Sequence, residues 1–243
     1  MRKFGSSNIV FNKLKNQEFA YEGERASYKG VGYKLLYFAI MTLLGAGLGI
    51  GLLAYNPNAL AVIIAVSGIL TFILSLISMT SNRACKVTGA LYCLFEGCLV
   101  GVLSFALNTI VEGVVTMALL STIAVFAVCA LLYVFNIVKV TAKFTRFLLM
   151  FSLGFIFSQL IFWLVSLFTP ITYSFGMTMF VSLISVFLAT LYLFFDMENI
   201  KYVVESGCPK EYEWTASFGL AFTLIWLYVE ILRLIILIVG RDN

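Results

Sequence analysis

Four ionisable residues lie within long apolar stretches of this chain: Glu96, Asp196, Glu230 and Arg233. An ionised carboxylate or guanidinium is costly at membrane depth, so such groups face a protein interior or a wet cavity and often mark an ion or proton path. Arg233 follows Glu230 by three residues, which places both side chains on one face of a helix. Such a pair either neutralises itself and fixes its helix in a bundle, or takes part in gating or transport.

The elements that must position these residues are seven apolar segments, each close to the length of about 20 residues with which a helix crosses a membrane. They lie at 35–55, 59–79, 88–108, 110–137, 147–169, 173–196 and 214–239. A composition of 62% hydrophobic and 12% charged residues excludes a soluble globular domain. The sequence therefore predicts an all-α polytopic membrane protein with seven transmembrane helices, comprising a polar cytoplasmic tail at 1–34, a transmembrane domain at 35–239 and a short tail at 240–243.

The distribution of basic residues predicts the orientation. Lysine and arginine occur in the N-terminal tail and in alternate connectors, at 1–34, 80–87, 138–146 and 197–213. The opposite connectors, at 55–59, around Asn108 and at 169–172, contain neither. By the positive-inside rule the N-terminus is cytoplasmic. The net charge of +4 is explained by this asymmetry and predicts no nucleic-acid partner. The polar start, followed by a segment long enough to span, predicts no cleavable signal peptide.

The predicted helices also set the depths of the acids. The sixth segment ends at Asp196, which we therefore place near the cytoplasmic boundary. At about 1.5 Å per residue, Glu96 lies roughly 12 Å into the third helix from the same side, and Thr223 about 14 Å into the seventh. Asp196, Glu96 and Thr223 can therefore share one inner vestibule. Glu230, about 24 Å along the seventh helix, is expected to lie too far away to touch Asp196.

Other interpretations of the two inner acids stay open. Asp196 can be an ordinary helix-end residue, bonded to water or to Arg83 across the cytoplasmic face. Glu96 can be a protonated acid that is hydrogen-bonded within the bundle. Two carboxyl groups brought close in a partly dehydrated cavity cannot both ionise cheaply, so as a pair they would change charge over the pH range of a cell.

Residues typical of enzymes and metal sites are missing from the chain. It contains no histidine and five cysteines, an odd number, in predicted helices and cytoplasmic connectors. This pattern predicts neither a disulfide framework nor a zinc site. An intramembrane aspartyl protease would need two facing aspartates, whereas only Asp196 lies in a span. We therefore expect no catalytic residues, no metal site and no cofactor.

Glycines recur at spacings that favour close helix packing. The first segment contains Gly45, Gly47, Gly49 and Gly51, and the third contains Gly97 and Gly101. Small residues four apart let two helices approach closely in lipid, where packing holds them together. A dinucleotide-binding loop is excluded, because no strand precedes the first series and no acidic residue follows it at the right distance.

Several motifs resemble one membrane family over nearly the whole chain. FFDMENIK at the end of the sixth segment and LYVEILRLI in the seventh are similar to the Bax inhibitor-1 or transmembrane Bax-inhibitor-motif family. CLFEGCLVGVLS, CPKEYEWTASFGL and the N-terminal SSNIVF most resemble its bacterial YccA-like branch. The resemblance implies six helices around a central seventh, a location in the bacterial plasma (inner) membrane, and a pH-dependent calcium leak in which an aspartate pair on the last two helices senses protons.

The resemblance assigns roles to single positions and also shows departures. Asp196 matches the first aspartate of the pair, whereas Thr223 occupies the position of the second. Arg83 best matches the basic residue between the second and third helices. Arg233 matches a basic residue late in the seventh helix, but the second helix offers no acid to pair with it, and Glu230 of its own helix can substitute.

Two functions follow as hypotheses. In the first, Glu96 replaces the missing acid, and Asp196, Glu96 and Arg83 form an inner latch. Protonation would weaken the attraction between Asp196 and Arg83 and shift the population between closed and open states. The protein would then be a pH-sensitive leak channel or transporter whose ligands are calcium ions and protons. In the second, it is a non-conducting regulatory protein that binds other membrane proteins, such as a membrane protease or its substrates.

Overall fold

Seven long helices make up almost all of the structure. A computed structural model describes residues 24–56, 60–169 and 174–239. The helices are α1 (Tyr28–Tyr55), α2 (Leu60–Thr80), α3 (Cys85–Ile110), α4 (Val114–Val134), α5 (Ala142–Phe168), α6 (Phe175–Glu205) and α7 (Tyr212–Val239). All seven are long and apolar enough to cross a membrane. The predicted all-α, seven-span architecture is confirmed.

The predicted tails fall largely outside the described residues. Residues 1–23 and 240–243 are not described, and neither are 57–59 and 170–173, where two of the predicted segments begin. The helix α1 starts at Tyr28, seven residues before the predicted span, because the Ser27 hydroxyl caps it by accepting a hydrogen bond from the Gly30 N–H. Helical structure therefore extends beyond the apolar segment into polar sequence.

The helix α6 also extends further than its apolar segment. It continues from Asp196 to Glu205, and the added turns bury Val203. It ends at Glu205, and Gly207 just beyond it adopts a left-handed φ of 64°, while the Cys208 N–H donates to the Val203 carbonyl oxygen. The prediction that Asp196 ends the sixth helix is therefore wrong. Asp196 lies inside the helix, about 13 Å from its C-terminal end.

The last helix is the centre of the bundle. Among the described residues, α7 packs against α1, α2, α3, α4 and α6, whereas α5 packs mainly on α6. Phe218, Leu227 and Leu232 of α7 are fully buried. The central seventh helix that the family resemblance implies is present, and α5 occupies the edge of the bundle beside α6.

Glycines bring α1 and α3 into backbone contact. Each helix contributes two of them to the crossing, Gly45 and Gly49 from α1 and Gly97 and Gly101 from α3. A Cβ atom at Gly49 would lie 2.6 Å from the Cys98 carbonyl oxygen, and one at Gly101 would lie 2.6 Å from the Ala46 Cα. The predicted packing role is confirmed for these four positions. Gly47 and Gly51 have no such neighbour within 4 Å, because they lie on another face of α1.

A buried ion pair joins the first turns of α1 and α7. Glu213, which is fully buried, pairs with Lys34 and accepts a hydrogen bond of 2.7 Å from the Ser27 N–H. The Lys34 ammonium also donates to the Lys210 carbonyl oxygen at 3.3 Å and lies 4.9 Å from the centre of the Trp214 ring. We call Ser27, Lys34 and Glu213 the α1–α7 clasp. Its charges are compensated on every side, which is what a buried ion pair requires to be tolerated.

Candidate functional site

A cavity of about 850 Å³ lies beside α7, with α2 and α3 on one side and α5 and α6 on the other. The cavity exists because α5 packs mainly on α6 and does not close against α2. Its lining runs along α7 from Thr215 to Glu230, a distance of about 22 Å at roughly 1.5 Å per residue. This length is most of the thickness of a hydrocarbon layer, which is about 30 Å.

Three acids line this space, one from each of three helices: Glu96 from α3, Asp196 from α6 and Glu230 from α7. We call it the acidic cavity. Thr223 also lines it, as does Gly219, one turn earlier on α7. Among the described residues of the lining there is no lysine or arginine. Of the three acids, only Glu230 has a described basic partner, Arg233, which lies outside the lining.

Asp196 is closely confined by its surroundings. Only 7% of the residue is exposed. The Thr223 hydroxyl lies within hydrogen-bonding reach of its carboxyl group. A Cβ atom at Gly219 would lie 3.3 Å from Oδ1, so the glycine leaves room for the carboxyl group above α7. Within the described part of the chain Oδ2 is buried and has no hydrogen-bond partner. This oxygen is therefore a buried polar atom that lacks a partner in this conformation.

Glu96 approaches the same cavity from α3. The residue is partly buried, and the Thr71 hydroxyl of α2 lies within hydrogen-bonding reach of its carboxyl group. The structure therefore brings together the three residues that the sequence assigned to one vestibule, Asp196, Glu96 and Thr223. The contact partner from α2 was not among the predicted residues.

Glu230 lies further along the same cavity. One of its oxygens accepts a hydrogen bond of 3.3 Å from the Trp226 indole N–H, and the other lies 3.4 Å from an Arg233 nitrogen. Glu230 is 7% exposed, whereas the Arg233 side chain is 52% exposed. The predicted pair within α7 is present. The cavity continues along α7 far enough to include Glu230, and none of its described contacts joins it to Asp196.

Arg83 lies outside the cavity. Its side chain is 89% exposed, and its Nε atom lies 3.7 Å from a Glu211 oxygen in the connector before α7. The predicted contact between Arg83 and Asp196 is wrong, because the extension of α6 places Asp196 inside the bundle while Arg83 remains in the turn before α3. The latch of Asp196, Glu96 and Arg83 is therefore not formed in the described part of the chain.

The sequence reasoning missed the aromatic residues of the lining. Each acid is preceded, four residues earlier on its own helix, by an aromatic residue that lines the same cavity: Tyr92 before Glu96, Tyr192 before Asp196 and Trp226 before Glu230. Residues four apart lie on one face of a helix, so this spacing is a signal that the sequence does carry. It also missed Ser152 of α5, whose hydroxyl lies 2.9 Å from the Tyr192 hydroxyl and joins α5 to α6.

A second cavity lies on another side of α7, between α1 and α4. It has a volume of about 720 Å³, and in the described residues its lining contains no aspartate, glutamate, lysine or arginine. We call it the apolar cavity. The Ser104 and Tyr228 hydroxyl groups in its lining are hydrogen-bonded to each other at 2.8 Å.

The two linings predict different chemistry. Carboxylates that line a concave, low-dielectric space concentrate cations in it. The described residues contain no group of three or more acidic, cysteine or histidine side chains close enough to bind one metal ion. The acids of the acidic cavity are therefore spread along it and are not gathered at one point.

Comparison with known families agrees with this architecture. Residues 8–240 match the family described as Bax inhibitor 1 like. A search of curated proteins found no match. The family match covers all seven helices and both sides of the acidic cavity. With its seven spans, central α7 and match over nearly the full length, this membrane protein belongs to the Bax inhibitor 1 like family.

Proposed function

We propose that the protein is a pH-sensitive leak channel or transporter for cations, calcium among them, and that the cations pass through the acidic cavity. The observation that supports this most is that the cavity is lined by Glu96, Asp196 and Glu230 without a lysine or arginine in its described lining. The proposed role is conduction and not catalysis. We further propose that it operates in a bacterial plasma membrane with the N-terminus in the cytoplasm, as the basic connectors favour.

Calcium and protons compete for the same carboxylates in this proposal. An ionised Asp196 adds to the negative potential that attracts a cation. A protonated Asp196 loses that charge and gains a hydroxyl donor. The charged and titratable groups that share the cavity with it are Tyr92 and Glu96 from α3, Tyr192 from its own helix, and Glu230 from α7.

Gating requires two states that bind the proton with different affinity, since only a difference of this kind lets pH shift their populations. Asp196 can supply the difference, because its Oδ2 lacks a hydrogen-bond partner in the described contacts. A rearrangement that gives Oδ2 an acceptor would favour the protonated form. A rearrangement that opens it to water would favour the ionised form.

The test is calcium flux into proteoliposomes as the pH is stepped from about 8 to about 6, an interval in which a confined carboxyl group changes charge. We expect the wild type to leak calcium in a pH-dependent manner and Asp196→Asn to lose that dependence. The matched control is Glu112→Gln, which makes the same chemical change at an exposed residue outside the cavity and should behave as the wild type.

An absence of calcium flux would contradict the proposal. If folded protein gives no flux above protein-free liposomes at any pH, conduction is excluded. The alternative is then a non-conducting protein that regulates other membrane proteins. Co-purification of a stoichiometric partner that stays bound in Asp196→Asn would support it.

A further inference from the structure

The acidic cavity has aromatic walls. Tyr192 of α6 and Trp226 of α7 lie with their ring centres 5.8 Å apart, and Phe195 lies 6.2 Å from Tyr192. Across the cavity Tyr92 of α3 lies 5.2 Å from Phe218 of α7. All five residues belong to the lining. Ring faces and edges at these distances form continuous aromatic surfaces on two sides of one space.

Each of the three acids has an aromatic neighbour on its own helix. An aromatic ring precedes each acid by one helical turn on three different helices, so every carboxylate has a ring next to it on its own helix. A calcium ion that sheds its water is bound by about six to eight oxygen atoms, and among the described residues no three acidic, cysteine or histidine side chains are close enough to bind one metal ion. An organic ammonium ion needs much less, because one carboxylate balances its charge and aromatic rings stabilise its alkyl groups through cation–π contacts.

A second, independent feature is the burial of Asp196, the acid whose charge would balance that of such a cation. Asp196 is more than nine-tenths buried, and its unpartnered Oδ2 belongs to a residue of the cavity lining. A buried polar atom without a partner is rare in proteins and calls for a ligand, a proton or a water molecule. The volume of about 850 Å³ is within the range typical of small-molecule sites.

We propose that the acidic cavity binds an organic ammonium cation, with Asp196 as its counter-ion and Tyr192 and Trp226 as its aromatic walls. The inference extends the proposed function. It rests on that proposal in one respect, which is that the cavity accepts cations. It adds a class of ligand that metal-ion conduction does not include. Such a ligand would either pass through the cavity or occlude it.

Isothermal titration of the protein in lipid nanodiscs with benzyltrimethylammonium tests the proposal, with empty nanodiscs as the blank. The comparison ligand is neopentylbenzene, which has the same skeleton with a carbon in place of the charged nitrogen. We expect saturable binding of the cation and no saturable binding of the neutral compound. Asp196→Asn should weaken binding about tenfold or more, because the counter-ion is lost.

Variants of Tyr192 test the aromatic wall separately. Tyr192→Leu should weaken binding about fivefold through the loss of the ring, whereas Tyr192→Phe retains the ring and should bind several-fold more tightly than Tyr192→Leu. Tyr192→Phe removes the hydroxyl bonded to Ser152, so it also separates ring contact from hydrogen bonding. Tyr228→Phe in the apolar cavity is the control for an unrelated hydroxyl loss and should leave binding unchanged.

Three outcomes would overturn the proposal: no saturable binding to the wild type, equal binding of the neutral compound, or unchanged affinity in both Asp196→Asn and Tyr192→Leu. If Asp196→Asn does not fold, as judged by its melting temperature, the Leu and Phe variants of Tyr192 decide the result alone. Binding is measured without an ion gradient, so its failure leaves a positive calcium flux intact. Conversely, binding without flux would exclude conduction and retain the site.

Discussion

The acidic and apolar cavities lie beside the same helix and have similar volumes, about 850 and 720 Å³. Ile225 lines both, which shows that they lie on adjoining sides of α7. One lining carries three acids and the other carries none in the described residues. In a membrane an apolar lining needs no explanation beyond contact with lipid or protein, whereas buried acids are costly and usually functional. The difference between the two linings therefore indicates that a functional site is expected on the side of α7 that faces the acids.

The largest expected effect comes from a change in the α1–α7 clasp, which lines neither cavity. Glu213→Ala leaves Lys34 buried without its partner in the α1–α7 clasp. We expect a loss of about 3–5 kcal/mol in the free energy of unfolding, because an uncompensated buried charge remains. The control is Glu211→Ala, whose side chain is half exposed and contacts Arg83 at 3.7 Å, and which should cost less than about 1 kcal/mol. Chemical unfolding in mixed micelles measures both, and equal losses would contradict a structural role for the clasp.

The next prediction compares the two sides of α7 directly. Ala221 lines the apolar cavity and Thr223 the acidic cavity, and they are similarly buried, at 6% and 4% exposure. Ala221→Asp should destabilise the protein by about 2.5–3.5 kcal/mol, the cost of an acid in a lipid-like environment. Thr223→Asp should destabilise the protein clearly less, because the side of α7 that carries Thr223 already accommodates acids. Similar melting temperatures for the two variants would show that the cavities do not differ in polarity.

A smaller effect is expected from Glu96→Gln. The substitution removes one carboxylate from the acidic cavity, and its main observable is the pH midpoint of calcium flux. Among the described contacts no hydrogen bond joins Glu96 to Asp196, so we expect a midpoint shift of a few tenths of a pH unit, towards lower pH, as one neighbouring negative charge is lost. An unmoved midpoint would remove Glu96 from the mechanism. The control is Glu112→Gln, outside the cavity.

The last comparison uses a matched pair of serine variants, one in each cavity. Ser104→Ala removes the bond to Tyr228 in the apolar cavity, and Ser152→Ala removes the bond to Tyr192 in the acidic cavity. Each should lower the free energy of unfolding by about 1 kcal/mol. Only Ser152→Ala should also change calcium flux, since it frees a ring in the proposed path. A flux change in Ser104→Ala instead would locate the path in the other cavity.

The sequence predicted the helices well and the site incompletely. Membrane-length apolar segments are a local property, so seven spans could be counted directly. The grouping of Asp196, Glu96 and Thr223 also followed from depth along the helices. The contact with Arg83 was wrong and the inclusion of Glu230 was missed, because both depend on where α6 ends and on how far the cavity extends. Neither the end of a helix nor the extent of a cavity can be predicted from the hydrophobicity of a segment.

The sequence alone determined that the protein spans a membrane, because a chain in lipid must form long apolar helices. It also determined which helices carry the acids, because ionisable residues are rare within such apolar segments. It also carried the family resemblance in short motifs. Only the tertiary structure decided that Glu96, Asp196 and Glu230 line one cavity. That outcome depends on α3, α6 and α7 packing around one space, and on α5 packing against α6 without closing on α2. These are relations between segments distant in the chain, which arise only when the helices pack.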